Sequence, residues 1–132
     1  MKLTDYAPSP KWLLEKFSDC FDPCPSVPTF NGLEIPWGKK NYVNPPYSVK
    51  IPWIKKAIEE SRRDRKSFML LPVDTSTKWF WDLVVPFFHV YFFTRRIELG
   101  NGHHPKFPSM IVETKIPTGI QIPSGLPNLR KW

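Results

Sequence analysis

No stretch of this chain approaches the roughly 20 consecutive apolar residues that a membrane-spanning helix needs. The longest apolar run, Phe87 to Phe93, is broken by His89 and suits a strand. The first residues hold Lys2, Asp5 and prolines in place of the apolar core of a secretory leader, so a soluble, cytoplasmic protein is expected. Cysteine is limited to Cys20 and Cys24, which allow one disulfide at most; in a reducing cell it is not needed, and two reduced, largely buried thiols are the expectation. Together with His103 and His104 they supply no zinc-ligand spacing, so no metal is expected. Acidic residues are outnumbered, 12 against 19 lysines and arginines, for a net charge of +7 and a pI near 9.5. That balance favours a polyanionic partner, and nucleic acid is the usual one. Internal repeats and low-complexity segments are lacking too.

What the chain does have is apolar mass: 41% of its 132 residues are hydrophobic and 15% aromatic, enough for one packed globule. Ser9 and Pro10 predict a helix start, a hydroxyl cap followed by proline in the first turn, with Leu13 and Phe17 on the buried face. Residues 19–22 read as a short strand ended by Pro23, and 25–40 as a loop punctuated by Pro, Gly and Asn. A strand at 41–44 is followed by a helix whose apolar stripe is Ile51, Trp53, Ile54, Ala57 and Ile58. The apolar run 67–73 predicts a central parallel strand. A short helix capped by Thr75 or Ser76 is expected to stop at Pro86, and strands at 89–93 and 109–114 are expected to pair antiparallel. Residues 1–115 then form the domain, with 116–132 an extended tail rich in Pro and Gly. Such alternation implies an α/β layered sheet, in which ligands bind at the carboxyl ends of the strands. Asp22, Asn44 and Asp74 all follow predicted strands and should converge there.

Asn44-Pro45-Pro46-Tyr47 carries the chemistry. An amino group on a planar ring is a poor nucleophile, because its lone pair is delocalised into the ring. The Asn44 side-chain oxygen and a carbonyl of the following prolines can accept from its two N–H groups and stabilise the positive charge that develops on alkylation. Consecutive prolines have fixed φ and no N–H, so their carbonyls stay out of any regular ladder. Tyr47 then offers a face on which an extruded base can stack. Lys39, Lys40 and Lys50 flank this loop as candidate phosphate contacts, joined by Ser48 and Lys78.

Tyr6-Ala7-Pro8-Ser9-Pro10-Lys11-Trp12, Phe21-Asp22-Pro23-Cys24, Tyr42-Val43-Asn44-Pro45-Pro46-Tyr47-Ser48, Leu70-Leu71-Pro72-Val73-Asp74-Thr75-Ser76 and Phe107-Pro108-Ser109-Met110 occur in that order. The series resembles the phage-type, Dam-like DNA N6-adenine methyltransferases. The resemblance implies a compact, abbreviated Rossmann-like methyltransferase fold with a mixed sheet, dependent on S-adenosylmethionine and acting on adenine in DNA. It implies a cofactor pocket lined by Tyr6, Ser9, Pro10, Asp22, Pro23 and Cys24, with Asn44, Pro45, Pro46 and Tyr47 as the catalytic loop. A viral source and action in the host-cell cytoplasm follow from the same likeness. Two departures stand out: Pro25 and Ser26 occupy the place of a Gly-x-Gly loop after Asp22, and the passage from Asp22 to Asn44 is shorter than a full β-α-β unit. The alternatives are RNA or protein acceptors for the same loop, or a decayed methyltransferase fold serving as a nucleic-acid-binding module. A domain this small reads few bases or dimerises to extend its footprint.

Overall fold

The computed structural model describes residues 8–100, 102, 107–115 and 123–132. It is mixed α/β, built on a five-stranded sheet in the order β1-β2-β4-β3-β5. The strands are β1 (Lys40–Val43), β2 (Lys66–Pro72), β3 (Phe88–Phe93), β4 (Ser109–Thr114) and β5 (Leu129–Lys131). β1 and β2 are parallel, in register from Lys40 opposite Lys66 to Val43 opposite Met69, and every other pairing is antiparallel. β2 is buried at every position, as expected of a strand covered on both faces. β2 and β3 both run antiparallel to β4, so β1, β2 and β3 point the same way and share one carboxyl edge.

The alternation of side chains across the strands makes two cores. Met69, Leu71, Val90, Met110 and Val112 face α2 (Lys50–Ser61), which lays Trp53, Ile54, Ala57 and Ile58 on them. Pro52 falls in the first turn of α2, where its missing N–H is not called on. At its other end Asp64 takes a left-handed conformation, φ 62°, and turns the chain into β2. On the opposite face Tyr42, Phe68, Leu70 and Ile111 pack under α1 (Lys11–Lys16), through Leu13 and the adjacent Phe17.

Four sequence expectations are refined. α1 begins at Lys11 with Pro10 as its extended cap residue, and no side chain caps it. Ser9 does not cap the helix because its hydroxyl is bonded to Tyr42 instead. The strand expected at 19–22 is a single parallel bridge between Phe21 and Asn41, because Pro23 removes the next donor. The helix expected to stop at Pro86 widens into a π-helical stretch, Phe80–Val84, and continues through one turn, α3 (Val85–Phe87), with Pro86 in its first turn. Within the stretch read as an extended tail, Leu129–Lys131 add to β3 as the edge strand β5.

Candidate active site

Asn44 is the first residue beyond β1, and Asp22 the first beyond the Phe21 bridge, so sheet pairing brings both to the carboxyl edge. Pro45 and Pro46 are buried and hold the loop rigid. The Val49 N–H donates to the Pro46 carbonyl at 3.2 Å and opens a short 3₁₀ turn, Tyr47–Val49, whereas no described residue donates to the Pro45 carbonyl. Ser9 comes in from the other face: its Oγ lies 2.7 Å from the Tyr42 hydroxyl, both buried. Burial pushes the Tyr42 hydroxyl well above the usual phenol range.

Between these groups lies a hollow of about 110 Å³ lined by Ser9, Asp22, Cys24, Ser26, Tyr42 and Asn44 among others. A second hollow of about 300 Å³ shares Cys24 and Ser26 with it and is walled by Pro23, Phe30, Pro46 and Trp53. The first is polar at one end and the second chiefly apolar. Asp22 accepts the Cys24 N–H at 3.0 Å, a turn that fixes its carboxylate on the wall of the first hollow. Partial desolvation raises the Asp22 carboxyl above its ordinary range, against the smaller lowering effect of that hydrogen bond. Desolvation likewise pushes the Cys24 thiol up to about 11, so it lines the hollow as a neutral group. Gly32 closes the second hollow at a point of very tight packing, where an added Cβ would lie 1.8 Å from the Pro23 carbonyl oxygen. The Trp37 indole donates to the Gly32 carbonyl at 2.7 Å and holds this loop against the core.

Tyr47 packs edge to face on Phe107, with centroids 4.9 Å apart and planes at 85°. Its hydroxyl is buried without a hydrogen-bond partner among the described residues, and desolvation pushes it up to about 12. Lys50 donates to the Tyr47 carbonyl at 2.9 Å and lies 5.1 Å over the Trp79 ring. Its charge also helps hold the Asp74 carboxyl below the usual range, after the larger effect of hydrogen bonds from Ser76. Lys50 therefore links the Asn44–Tyr47 loop to the loop after β2.

Asn44, Ser9, Asp22 and Cys24 thus share the first hollow, and Pro46, Pro23 and Cys24 the second, whereas Pro10 and Pro45 are buried and, like Tyr47, line neither. Tyr6 lies outside the described residues, as do His103 and His104. Ser48, in the 3₁₀ turn, Lys50, the first residue of α2, and Lys78, at the start of the helix after β2, lie at the same edge, Ser48 and Lys78 exposed. Lys39 and Lys40 stand at the amino end of β1, about 13–17 Å of extended chain away from Asn44, and Lys40 is paired with Asp19. Three contributors had no expected role at the site: Tyr42, Trp53 and Phe30. Tyr42 and Trp53 read as ordinary core positions. Phe30, an aromatic stranded in a Pro/Gly loop and stacked on Phe21 at 6.0 Å, carried a usable signal. No cluster of three metal-ligating side chains occurs among the described residues, and no described helix is long and apolar enough to cross a membrane.

The model of the family described as DNA N-6-adenine-methyltransferase (Dam) matches residues 26–112. Asn44 to Tyr47, Trp53, Asp74 and Phe107 fall inside that match, and Ser9, Asp22 and Cys24 precede it. A DNA N-6-adenine-methyltransferase of Escherichia phage T1 is 48% identical over 52 residues, 38% of this chain and 22% of that protein. One of Haemophilus phage HP1 (strain HP1c1) is 46% identical over 56 residues, 41% of this chain and 32% of that protein. The matched segment spans less than a third of either relative's length. No solved structure matches the chain.

Proposed function

Since the chain belongs to the DNA N-6-adenine-methyltransferase (Dam) family, we propose that it transfers a methyl group from S-adenosylmethionine to the N6 amino group of adenine in DNA. One observation carries this reading: Asn44 leaves the carboxyl end of β1 into a hollow that it shares with Ser9, Asp22 and Tyr42. The fold is taken as an abbreviated Rossmann-like sheet, supported by the parallel passage β1-α2-β2 and by site loops gathered at the strands' carboxyl ends.

The residues lining the two hollows fit the cofactor. The apolar walls from Phe30, Pro46 and Trp53 suit a nucleoside ring, and the Asp22 carboxylate with the Ser9 hydroxyl suits an amino-acid end bearing an ammonium group. When bound, the cofactor supplies an electrophilic methyl group on a sulfonium. Asn44 Oδ1 and the Pro45 carbonyl accept from the adenine amino group and draw its lone pair out of the ring. They stabilise the charge that grows on nitrogen during transfer. Tyr47 supports the base plane. No general base is required before attack, because the N6 proton becomes acidic once the methyl has arrived. The two prolines contribute preorganisation, since their carbonyl dipoles need not be reoriented as the charge appears.

The test is direct. Incubation of DNA with the protein and isotopically labelled cofactor, followed by nucleoside mass spectrometry, should yield N6-methyladenine. Asn44→Ala should lower turnover about 10²–10³-fold, the effect of removing a preorganised dipole, and leave cofactor affinity within a few-fold. Labelled RNA or protein in the absence of labelled DNA would refute the acceptor assignment. Absence of saturable cofactor binding by calorimetry would refute the enzymatic reading.

A further inference from the structure

A third hollow, of about 240 Å³, opens on the α1 face of the sheet, lined by Trp12, Phe93, Arg95, Arg96, Asn128 and Glu98 among others. It has no part in the chemistry above. Its position is fixed by the sheet. β3 runs in the same direction as β1 and β2, so Phe93 and the arginines just beyond it lie at the same carboxyl edge as Asn44. The frame is stiff: Thr94 N–H donates to the Asn128 carbonyl at 2.6 Å, joining the ends of β3 and β5, and Trp12 packs edge to face on Phe93 at 6.2 Å.

Arg95 and Arg96 are both exposed, and neither forms an ion pair among the described residues, not even with Glu98 on the same wall. Four less exposed cations, Lys40, Lys56, Arg65 and Lys66, by contrast each have a carboxylate partner. Two guanidinium groups lining one hollow beside an aromatic wall, against the single carboxylate of Glu98, favour an anion, and their planar forks suit phosphate oxygens. The volume far exceeds that of one water, about 30 Å³, and falls below the range of about 300–1,000 Å³ typical of whole-ligand pockets. It therefore suits part of a larger molecule, such as one sugar-phosphate unit of a strand.

We propose that the Arg95–Arg96 hollow binds the DNA backbone beside the target adenine. This rests on the proposed function for the identity of the polymer. From β1 to β3 is three strand spacings, about 14 Å along the edge. At 3.4 Å per nucleotide of one duplex strand, the contact falls about four nucleotides from the extruded base. The two arginines thereby fix the register of a duplex laid along the carboxyl edge, and they carry no sequence information themselves.

The experiment measures binding of the full chain to a fluorescein-labelled, adenine-containing DNA duplex by anisotropy, as a function of salt. The double variant Arg95→Gln/Arg96→Gln should reduce the magnitude of the slope of log K against log salt by about 2, since each lost phosphate contact removes about 0.9. Its KM for DNA should rise tenfold or more, with kcat and cofactor affinity within twofold of the parent. Arg95→Lys/Arg96→Lys should restore the slope, and Lys55→Gln, on the exposed side of α2, should leave it unchanged. An unaltered slope in the double glutamine variant overturns this inference even if the parent methylates DNA. The slope needs no turnover, so it also decides the matter if methylation itself fails.

Discussion

The two ends of the sheet are built from the same strands and treat charge in opposite ways. At the amino end three cations have carboxylate partners: Lys40 with Asp19, Arg65 with Glu60, and Lys66 with Glu113 at 3.3 Å. The last pair is nearly sealed, Lys66 at 4% and Glu113 at 5% exposure, and Glu113 also accepts from the Tyr91 hydroxyl at 2.6 Å. At the carboxyl end Asp22 is satisfied only by its own loop, Arg95 and Arg96 stand without partners among the described residues, and three hollows interrupt the packing. A closed electrostatic set stabilises a fold. An open one leaves its interaction energy for a ligand. The difference separates residues that hold the domain from those we propose to use it.

The comparison breaks most visibly at its closed end. Lys66→Met strands a buried carboxylate and should cost about 3–5 kcal/mol, because removing one partner of a buried pair leaves the other charge uncompensated. Urea denaturation measures it as a lower midpoint at unchanged slope. Adding Glu113→Gln removes that charge while keeping an acceptor for Tyr91, and should recover more than half of the loss. Recovery of nothing would mean that the pair does not carry the destabilisation.

Legibility in the sequence follows the same division. The loop Asn44–Tyr47 was readable as a rigid break after a strand, because consecutive prolines act through their own backbones and need no tertiary partner to make sense. The strand 109–114 and the helix after Lys50 were readable by period, as was the meeting of Asp22 and Asn44 once both were seen to end strands. The bond from Ser9 to Tyr42 was not readable, since it spans 33 residues and displaces a local capping preference that Ser9 satisfies equally well on paper. Lys39 and Lys40 looked close to Asn44 because proximity along a chain is easily mistaken for proximity in space. A strand carries them to the opposite edge, whereas Arg95 and Arg96, some fifty residues away, arrive at the same edge as Asn44 because β3 shares the direction of β1.

Lys50 sharpens the contrast, as a cation at the open edge whose hydrogen bonding is internal. Its ammonium secures the Tyr47 carbonyl and covers Trp79, a charge-assisted bond of about 1.5–3 kcal/mol when intact. Lys50→Met should therefore lower kcat about tenfold by loosening the catalytic loop, with the salt dependence of DNA binding unchanged. A shallower salt slope with kcat preserved would instead make Lys50 a phosphate contact.

The smallest effect belongs to Asp22. Desolvation raises its carboxyl in the folded protein, so the neutral form is favoured by folding: its contribution to stability is present at low pH and is lost as pH rises through the raised value. Cofactor binding runs the other way, because an ammonium group needs the carboxylate. Affinity should fall as pH drops through the raised Asp22 value, a few-fold in calorimetric titrations, and at higher pH than an unperturbed aspartate would impose. Asp22→Asn should flatten that profile and slightly stabilise the fold in acid-range denaturation curves at the upper end of the window. A profile unchanged by the substitution would remove Asp22 from the polar end of the pocket and leave the Ser9–Tyr42 pair to hold it.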